Sequence, residues 1–229
     1  EGIRVGMVMP QNEFNSAQNS PSTWTPAGLA RFLHSLGPEM AKRGVDIFFG
    51  TFERGDPKML ETVMADEAAA RFIKGVGMQW AGKNALPAVH LEFPVLMIYQ
   101  SEQECGDGTN NWPYTGYCWQ LMKHYCRSGA SGYMYWNIST DQTVKSTWGW
   151  SQNSLVTVDT KAKTLRYNYD YYLLKHLSHV VDVGAKSLET TETFDDALAF
   201  LNPDGFCWRY TGSQRRPSSS GTDSPSATD

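Results

Sequence analysis

Short apolar runs alternate with longer segments of helical periodicity along most of this chain. Each apolar run ends in Gly, Pro, Asn, Asp or a charged residue, which is typical of a buried strand. We predict strands at residues 3–9, 45–49, 75–80, 93–99 and 132–136. Helical patterns fill the gaps between them, with starts marked by Thr25-Pro26 and Asn111-Trp112-Pro113. Because strands joined through helices pair in parallel, the pattern predicts an α/β fold with a parallel sheet.

Two of these strands are followed within four residues by a glutamate. Glu13 follows the first run, and Glu102 follows the run that ends at Tyr99. The two glutamates are 89 residues apart, which fits about three βα units of roughly 30 residues each. A barrel of parallel strands carries its chemistry at the C-terminal strand ends, and a glycosidase needs two carboxyl groups. The spacing therefore predicts a carboxylate pair suited to glycoside hydrolysis, although Glu13 alone is also compatible with an exposed loop.

Composition narrows the class of partner. The chain has 229 residues, 41% of them hydrophobic, and a net charge of -4, so no basic surface indicates nucleic acid binding. Aromatic residues make up 13%, which suits a sugar-binding cleft but equally an ordinary core. We find no apolar run long enough for a membrane span and no recognisable signal peptide, and the cellular location stays open. The four cysteines show no metal-ligand spacing, and we predict free thiols.

Three motifs resemble glycoside hydrolase family 30, which includes the glucosylceramidases and related β-glycosidases. They are Gln11-Asn12-Glu13, Gln100-Ser101-Glu102 and Tyr135-Trp136-Asn137-Ile138, each at a predicted strand end. The segments 76–80 and 148–156 match as well, and the likeness runs from about Arg4 to Gly205.

The resemblance implies a partial (β/α)8 TIM barrel, strands four to eight, with the start of an attached β-domain. It divides the chain into a partial catalytic barrel at 1–182, a remnant of a β-sandwich domain at 183–210, and a tail at 211–229. The tail is rich in Ser, Pro, Thr and Asp, and this composition predicts disorder.

The resemblance also implies a retaining mechanism with assigned roles. Glu102 is the expected nucleophile and Glu13 the expected general acid/base. Asn12 is expected to hydrogen-bond the sugar 2-hydroxyl. The other expected substrate-binding residues are Gln79, Trp80, Trp136 and Asn137, with Trp136 as a flat wall for the sugar ring, although core packing also explains a tryptophan there. No metal and no organic cofactor is expected.

Other acidic groups near the strand ends have structural interpretations. Glu104 lies two residues beyond Glu102, and we predict a supporting role in the loop. Glu53 and Arg54 follow another strand end, where they either shape the cleft or form a solvent-facing ion pair.

Two sets of potential metal ligands also have simpler explanations. His176 and His179 lie three residues apart and suit one face of a helix. Asp107, Asn110 and Asn111 lack the spacing of an EF-hand loop and suit a turn followed by a helix cap.

The chain departs from the family pattern in two respects. Phe14 stands where the acid/base motif usually has proline, which puts the orientation of Glu13 in doubt. Strands one to three have no counterpart, so we expect a partial gene product whose open sheet edge favours self-association. A homodimer that closes a barrel has no support in the sequence.

Two functions follow from these expectations. The first is a retaining β-glycosidase for β-glucosides or β-glucosyl lipids, with β-1,6-glucan or β-xylosides as the alternative carbohydrate substrates. The second is an inactive fragment that binds carbohydrate weakly, because five strands cannot close a barrel. For the chain alone we predict little or no turnover.

Overall fold

A five-stranded parallel sheet forms the centre of the fold, in the order β1–β2–β3–β4–β5. The computed structural model describes residues 2–14, 16, 24–190 and 196–211. The strands are Met7–Val8, Asp46–Phe52, Ile73–Gln79, Met97–Glu102 and Ala130–Tyr133. Every neighbouring pair is parallel. Parallel strands in sequential order, connected through helices, are the arrangement of part of a (β/α)8 barrel, so the predicted fold class is confirmed.

The helices lie in the connections between the strands and after them. They are α1 Pro26–Lys42, α2 Lys58–Met64, α3 Glu67–Ala70, α4 Leu86–Glu92, α5 Trp112–Arg127 and α6 Tyr169–Ser178, with a 3₁₀ turn at Trp80–Asn84. Both predicted helix starts are confirmed. Thr25 Oγ1 accepts the Gly28 N–H at 3.0 Å, and Asn111 Oδ1 accepts the Tyr114 N–H at 2.9 Å. These caps satisfy backbone donors that the first helical turn leaves unpaired.

The main core lies between the sheet and helices α1 to α4. Leu33 of α1, Leu60 of α2 and Leu86 of α4 are almost fully buried against residues of β2, β3 and β4. A second cluster joins α5 and α6 to the last sheet through Trp119, Leu173 and Phe200.

Six short strands follow the parallel sheet. They form the sheet β6 Ser139–Asp141, β7 Val156–Asp159 and β8 Thr164–Tyr167, and the sheet β9 Lys186–Leu188, β10 Ala197–Leu201 and β11 Cys207–Thr211. The predicted boundary between 182 and 183 stays a prediction. The predicted tail began at 211, but Thr211 pairs with Ala197 in β11. Residues 212–229, and most of the loop predicted at 15–22, lie outside the described residues.

Several strand boundaries differ from the prediction. The run predicted at 93–99 becomes a strand at Met97–Glu102, because Pro94 has no N–H and a turn forms in which Leu96 N donates to Phe93 O at 3.0 Å. Glu102 is the last residue of β4, which confirms its predicted place at the C-terminal end of the strand. The strand predicted at 132–136 lies at Ala130–Tyr133, which leaves Trp136 in the loop that follows.

Two further boundaries were wrong for local reasons. The strand predicted at 3–9 pairs only at Met7–Val8, and Ile3 is 81% exposed at the sheet edge. The helical pattern that runs from Ala68 to Ile73 in the sequence forms a helix only as far as Ala70, because Ile73 is buried as the first residue of β3.

Candidate active site

Glu13 and Glu102 lie at the same end of the curled sheet and are held by consecutive residues of the chain. Gln79 Nε2 donates to Glu13 Oε1 at 2.8 Å, and Trp80 Nε1 donates to Glu102 Oε1 at 3.2 Å. In the sheet β2 lies between β1 and β3, so the contact from Gln79 to Glu13 reaches over the end of one strand. Of the seven residues predicted for the site, these contacts join four: Glu13, Gln79, Trp80 and Glu102.

Three of the predicted site residues have left-handed backbone conformations. The φ angles are 49° at Glu13, 47° at Trp80 and 62° at Asn137. A residue with a side chain rarely adopts φ > 0, and such strain tends to concentrate at functional sites. The surrounding contacts must therefore hold these residues in place.

Thr51, at the end of β2, holds the loop that carries Glu13. Its Oγ1 accepts the Glu13 N–H at 3.0 Å and donates to Asn12 Oδ1 at 2.9 Å, while the Thr51 N–H donates to Gln11 O at 2.6 Å. Asn12 is otherwise exposed. Thr51 was not among the residues predicted for the site; its signal in the sequence is its position just after an apolar run.

Ser101 orients the glutamine that contacts Glu13. Its Oγ lies 3.2 Å from Gln79 Oε1 and 3.3 Å from Met78 O, and its one proton serves one acceptor at a time. With its oxygen facing Ser101, Gln79 turns its NH₂ group towards Glu13. Gln79 is fully buried, so this arrangement satisfies both ends of an amide that has no access to water.

Phe14 fixes the loop after Glu13 in a way that proline would not. Its side chain is fully buried, with ring centroids 5.3 Å from Phe49 and 5.6 Å from Phe52. The aromatic cluster lies beneath Glu13, so the residue that departs from the family pattern anchors the loop through packing.

We expect Phe14→Ala to lower the free energy of unfolding by about 3–5 kcal/mol, because it leaves a ring-sized cavity under the site. Chemical denaturation followed by circular dichroism measures the change. Phe206→Ala serves as the control, since Phe206 is 66% exposed, and its cost should be under about 0.5 kcal/mol. A loss below about 1 kcal/mol in Phe14→Ala would contradict the anchoring role.

The carboxyl groups of this cluster affect one another. Burial raises the pKa of Glu102 to about 7, the Trp80 indole hydrogen bond opposes the rise, and the charge of Glu13 adds to it. Burial likewise raises the pKa of Glu53, with Arg54 lowering it and Glu13 raising it. Glu53 Oε1 pairs with Arg54 Nη1 at 2.8 Å, while Oε2 is buried without a hydrogen-bond partner in the described part of the chain. Glu53 therefore belongs to the cluster rather than to a solvent-facing ion pair.

The raised pKa of Glu102 predicts a pH-dependent stability. Between an unfolded value near 4.5 and a folded value of about 7, the folded chain holds a proton that the unfolded chain has lost, so stability falls as pH rises through this range. In Glu102→Gln the side chain cannot ionise, so this fall in stability does not occur. Relative to the parent, we expect this variant to gain about 1–2 kcal/mol on going from pH 5 to pH 8, after allowance for partial exposure. Thermal or urea unfolding at both pH values measures it.

Glu92→Gln is the control for this comparison, because Glu92 is an exposed residue at the end of α4. Its stability difference from the parent should be the same at both pH values. A Glu102→Gln variant that behaves like Glu92→Gln would show that Glu102 has an ordinary pKa.

Glu104, the remaining acidic residue near the strand ends, forms an ion pair and a hydrogen bond away from Glu13 and Glu102. Glu104 Oε1 lies 2.6 Å from Lys83 Nζ, and Glu104 Oε2 accepts from Tyr117 OH at 2.6 Å. This agrees with a supporting role rather than a place beside Glu13 and Glu102.

The last motif of the predicted site occupies the loop after β5. Trp136 is half-buried there. Asn137 Nδ2 donates to Gln152 Oε1 at 3.0 Å and to Asn153 O at 3.2 Å, so its amide fastens two loops together. A sugar contact by either residue stays a prediction.

The potential metal ligands, the cysteines and the helices of the described ranges bear on three further predictions. No group of three or more His, Cys, Asp and Glu side chains is arranged to hold a metal ion there. Asn111 caps α5, as predicted, and Asn110 Oδ1 accepts the Ser154 N–H at 3.0 Å. All four cysteines are free thiols. Among the helices that the structure describes, none has the length and apolar character needed to cross a bilayer.

Comparisons with known proteins support the fold. Lysosomal acid glucosylceramidase of Mus musculus is 24% identical, and the match covers 89% of this chain and 45% of that protein. The solved structure of the endo-β1,6-glucanase BT3312 superimposes with a TM-score of 0.74 at 24% identity, over 89% of this chain and 50% of that one. A GH30 endoxylanase from Clostridium papyrosolvens C71 gives a TM-score of 0.65 at 16% identity, over 88% and 49%. No family model matches the chain.

The fold defines the class as part of a (β/α)8 barrel. More particularly, the chain is similar to glucosylceramidases in sequence and to glycoside hydrolase family 30 enzymes in fold, which confirms the resemblance drawn from its motifs. It spans less than half the length of the mouse glucosylceramidase and about half of each solved structure.

Proposed function

We propose that this chain supplies both catalytic carboxyl groups of a retaining β-glycosidase that acts on β-glucosides or β-glucosyl lipids. The observation that carries the proposal is the paired support of Glu13 by Gln79 and of Glu102 by Trp80, together with the influence of Glu13 on the pKa of Glu102. Retaining glycosidases need two carboxyl groups on one sugar, about 5–5.5 Å apart.

The reaction proceeds in two displacements. The Glu102 carboxylate attacks the anomeric carbon, the bond to the leaving oxygen breaks, and Glu13 gives its proton to that oxygen. Glu13 then removes a proton from water, which attacks the same carbon and releases Glu102. Asn12 is the proposed partner of the 2-hydroxyl, and Gln79, Trp80, Trp136 and Asn137 are the proposed walls of the subsite. The steps call for no metal or organic cofactor.

The proton affinity of Glu102 sets a condition on this mechanism. A nucleophile must be ionised, yet the pKa of Glu102 is raised to about 7. The Trp80 indole favours the ionised form of Glu102, so the proposed mechanism depends on that contact.

Covalent trapping tests the assignment of roles. A 2-deoxy-2-fluoro-β-glucoside with a good leaving group should label the intact protein, and peptide mass spectrometry should find the label on Glu102. Proton NMR of the first product from an aryl β-glucoside should show the β-anomer. A label on Glu13 would reverse the two roles, and a first product in the α-configuration would contradict retention.

The alternative is a chain that binds carbohydrate weakly without turnover. The short β1 at the open edge of a five-stranded sheet favours it, because only two residues pair there. Assays with β-glucosides, β-1,6-glucan and β-xylosides discriminate between the two: binding by calorimetry with no hydrolysis of any of them supports the alternative. Self-association through the open edge is a further proposal, and sedimentation at several concentrations measures it.

A further inference from the structure

We propose that Lys83 and Glu104 are positioning residues that hold the Trp80 indole against Glu102. As a statement about catalysis this rests on the proposed function, whereas the contact itself does not. Neither residue was assigned a part in the mechanism above.

Trp80 needs external support because of its backbone. It is the first residue of the 3₁₀ turn Trp80–Asn84 and has a φ of 47°, a conformation that is unfavourable for a non-glycine residue because it brings Cβ close to a carbonyl oxygen. The direction of its indole depends on this backbone geometry. Relaxation of Trp80 would move Nε1 away from Glu102 Oε1, which already lies 3.2 Å distant.

Lys83 bridges the strained residue to the loop after β4. Its Nζ donates to Trp80 O at 3.1 Å and to Glu104 Oε1 at 2.6 Å. The side chains of Lys83 and Glu104 are only 25% and 18% exposed, so water competes weakly for the pair. The 3₁₀ turn is thereby tied to the segment that follows Glu102.

Helix α5 fixes both partners of this bridge. Tyr117 OH donates to Glu104 Oε2 and Tyr114 OH to Glu104 O, each at 2.6 Å. His124 Nε2 donates to Lys83 O at 2.8 Å. Because three side chains of one helix hold the bridge, its geometry is set before any substrate arrives, as a preorganised site requires.

The test must separate position from charge. The acidic groups on the segments around Glu102 are Glu13, Glu104 and Cys105. Lys83 is paired with Glu104, and the Glu53–Arg54 pair interacts with Glu13. The double variant Lys83→Met/Glu104→Gln removes one positive and one negative charge, so the net charge is unchanged and lost positioning is the main effect. Lys42→Met/Glu39→Gln is the matched control, because it removes an ion pair of 2.7 Å on the surface of α1.

The measurement is the titration midpoint of Glu102 by carboxyl ¹³C NMR in the whole chain, with Glu102→Gln identifying the resonance. We expect the Lys83→Met/Glu104→Gln pair to raise the midpoint by about 0.5–1 pH unit when Trp80 is present, because the ionised form loses its donor. In the Trp80→Phe background, which has no indole N–H, the same pair should cause no further shift. The surface pair should cause none in either background.

An equal shift in both backgrounds would overturn the inference, and so would no shift with Trp80 present. Tyr117→Phe offers a milder change that removes one contact of Glu104, and it should give a smaller shift of the same sign. These titrations can be measured on a protein without activity. A chain that hydrolyses no glycoside but shows the expected shifts would refute the proposed function. The role of Lys83 and Glu104 in holding the Trp80 indole against Glu102 would still be supported. In an active protein, kcat should fall by the same factor in the double variant, in Trp80→Phe and in the triple variant.

Discussion

Glu102→Gln is expected to lower kcat/KM for an aryl β-glucoside by about 10⁴-fold or more, because an amide cannot form the glycosyl intermediate. The assay is release of the aryl group by a version of the protein that also carries strands one to three of the barrel, because we expect little or no turnover from this chain alone. Glutamine preserves the volume of the side chain and an oxygen that accepts from the Trp80 indole, so the loss would report chemistry rather than misfolding. Unchanged turnover in this variant would remove Glu102 from the mechanism.

The pH profile of the parent supplies an internal check. The proposed role of Glu102 as nucleophile requires its ionised form, and its pKa is about 7. On that proposal kcat/KM should rise with pH up to about 7 before any alkaline limb. Glu92→Gln, an exposed substitution on α4, should keep the parental profile. A flat profile between pH 5 and 8 would show that no group with this pKa controls the reaction.

Glu13→Gln is expected to have an effect that depends on the leaving group. With an alkyl β-glucoside, whose leaving oxygen needs a proton, kcat/KM should fall by about 10²–10⁴-fold. With a dinitrophenyl β-glucoside, which departs without protonation, the loss should be within about tenfold. The glutamine oxygen can still accept from Gln79 Nε2, so the site should keep its shape. Equal losses for both substrates would mean that Glu13 acts in some way other than as the acid.

The sequence predicted the elements better than their ends. Alternating periodicity gave the parallel α/β sheet, and cap chemistry placed the starts of α1 and α5, because these signals are local. The boundaries of β4 and β5 were wrong by several residues, since an apolar run does not say which of its residues pair with a neighbour. Pro94 indicated a later start for the strand, because proline cannot donate a backbone hydrogen bond to a neighbouring strand.

The partners of the carboxyl groups could not be predicted. Thr51, Ser101 and Lys83 are common residue types without a motif, and their roles come from contacts across 38, 22 and 21 residues of chain. Such contacts depend on strand register and on the curl of the sheet. Neither the register nor the curl can be predicted from the hydrophobic pattern of neighbouring residues in the sequence.

By itself the sequence determined that two glutamates stand at the ends of parallel strands, because apolar periodicity and turn residues are properties of neighbours along the chain. Only the tertiary structure decided which donor meets each carboxyl group, that Glu104 pairs with Lys83 instead of joining the cluster, and that Glu102 holds its proton to about pH 7. The physical reason is that desolvation and hydrogen bonding depend on atoms close in space, whichever part of the chain supplies them.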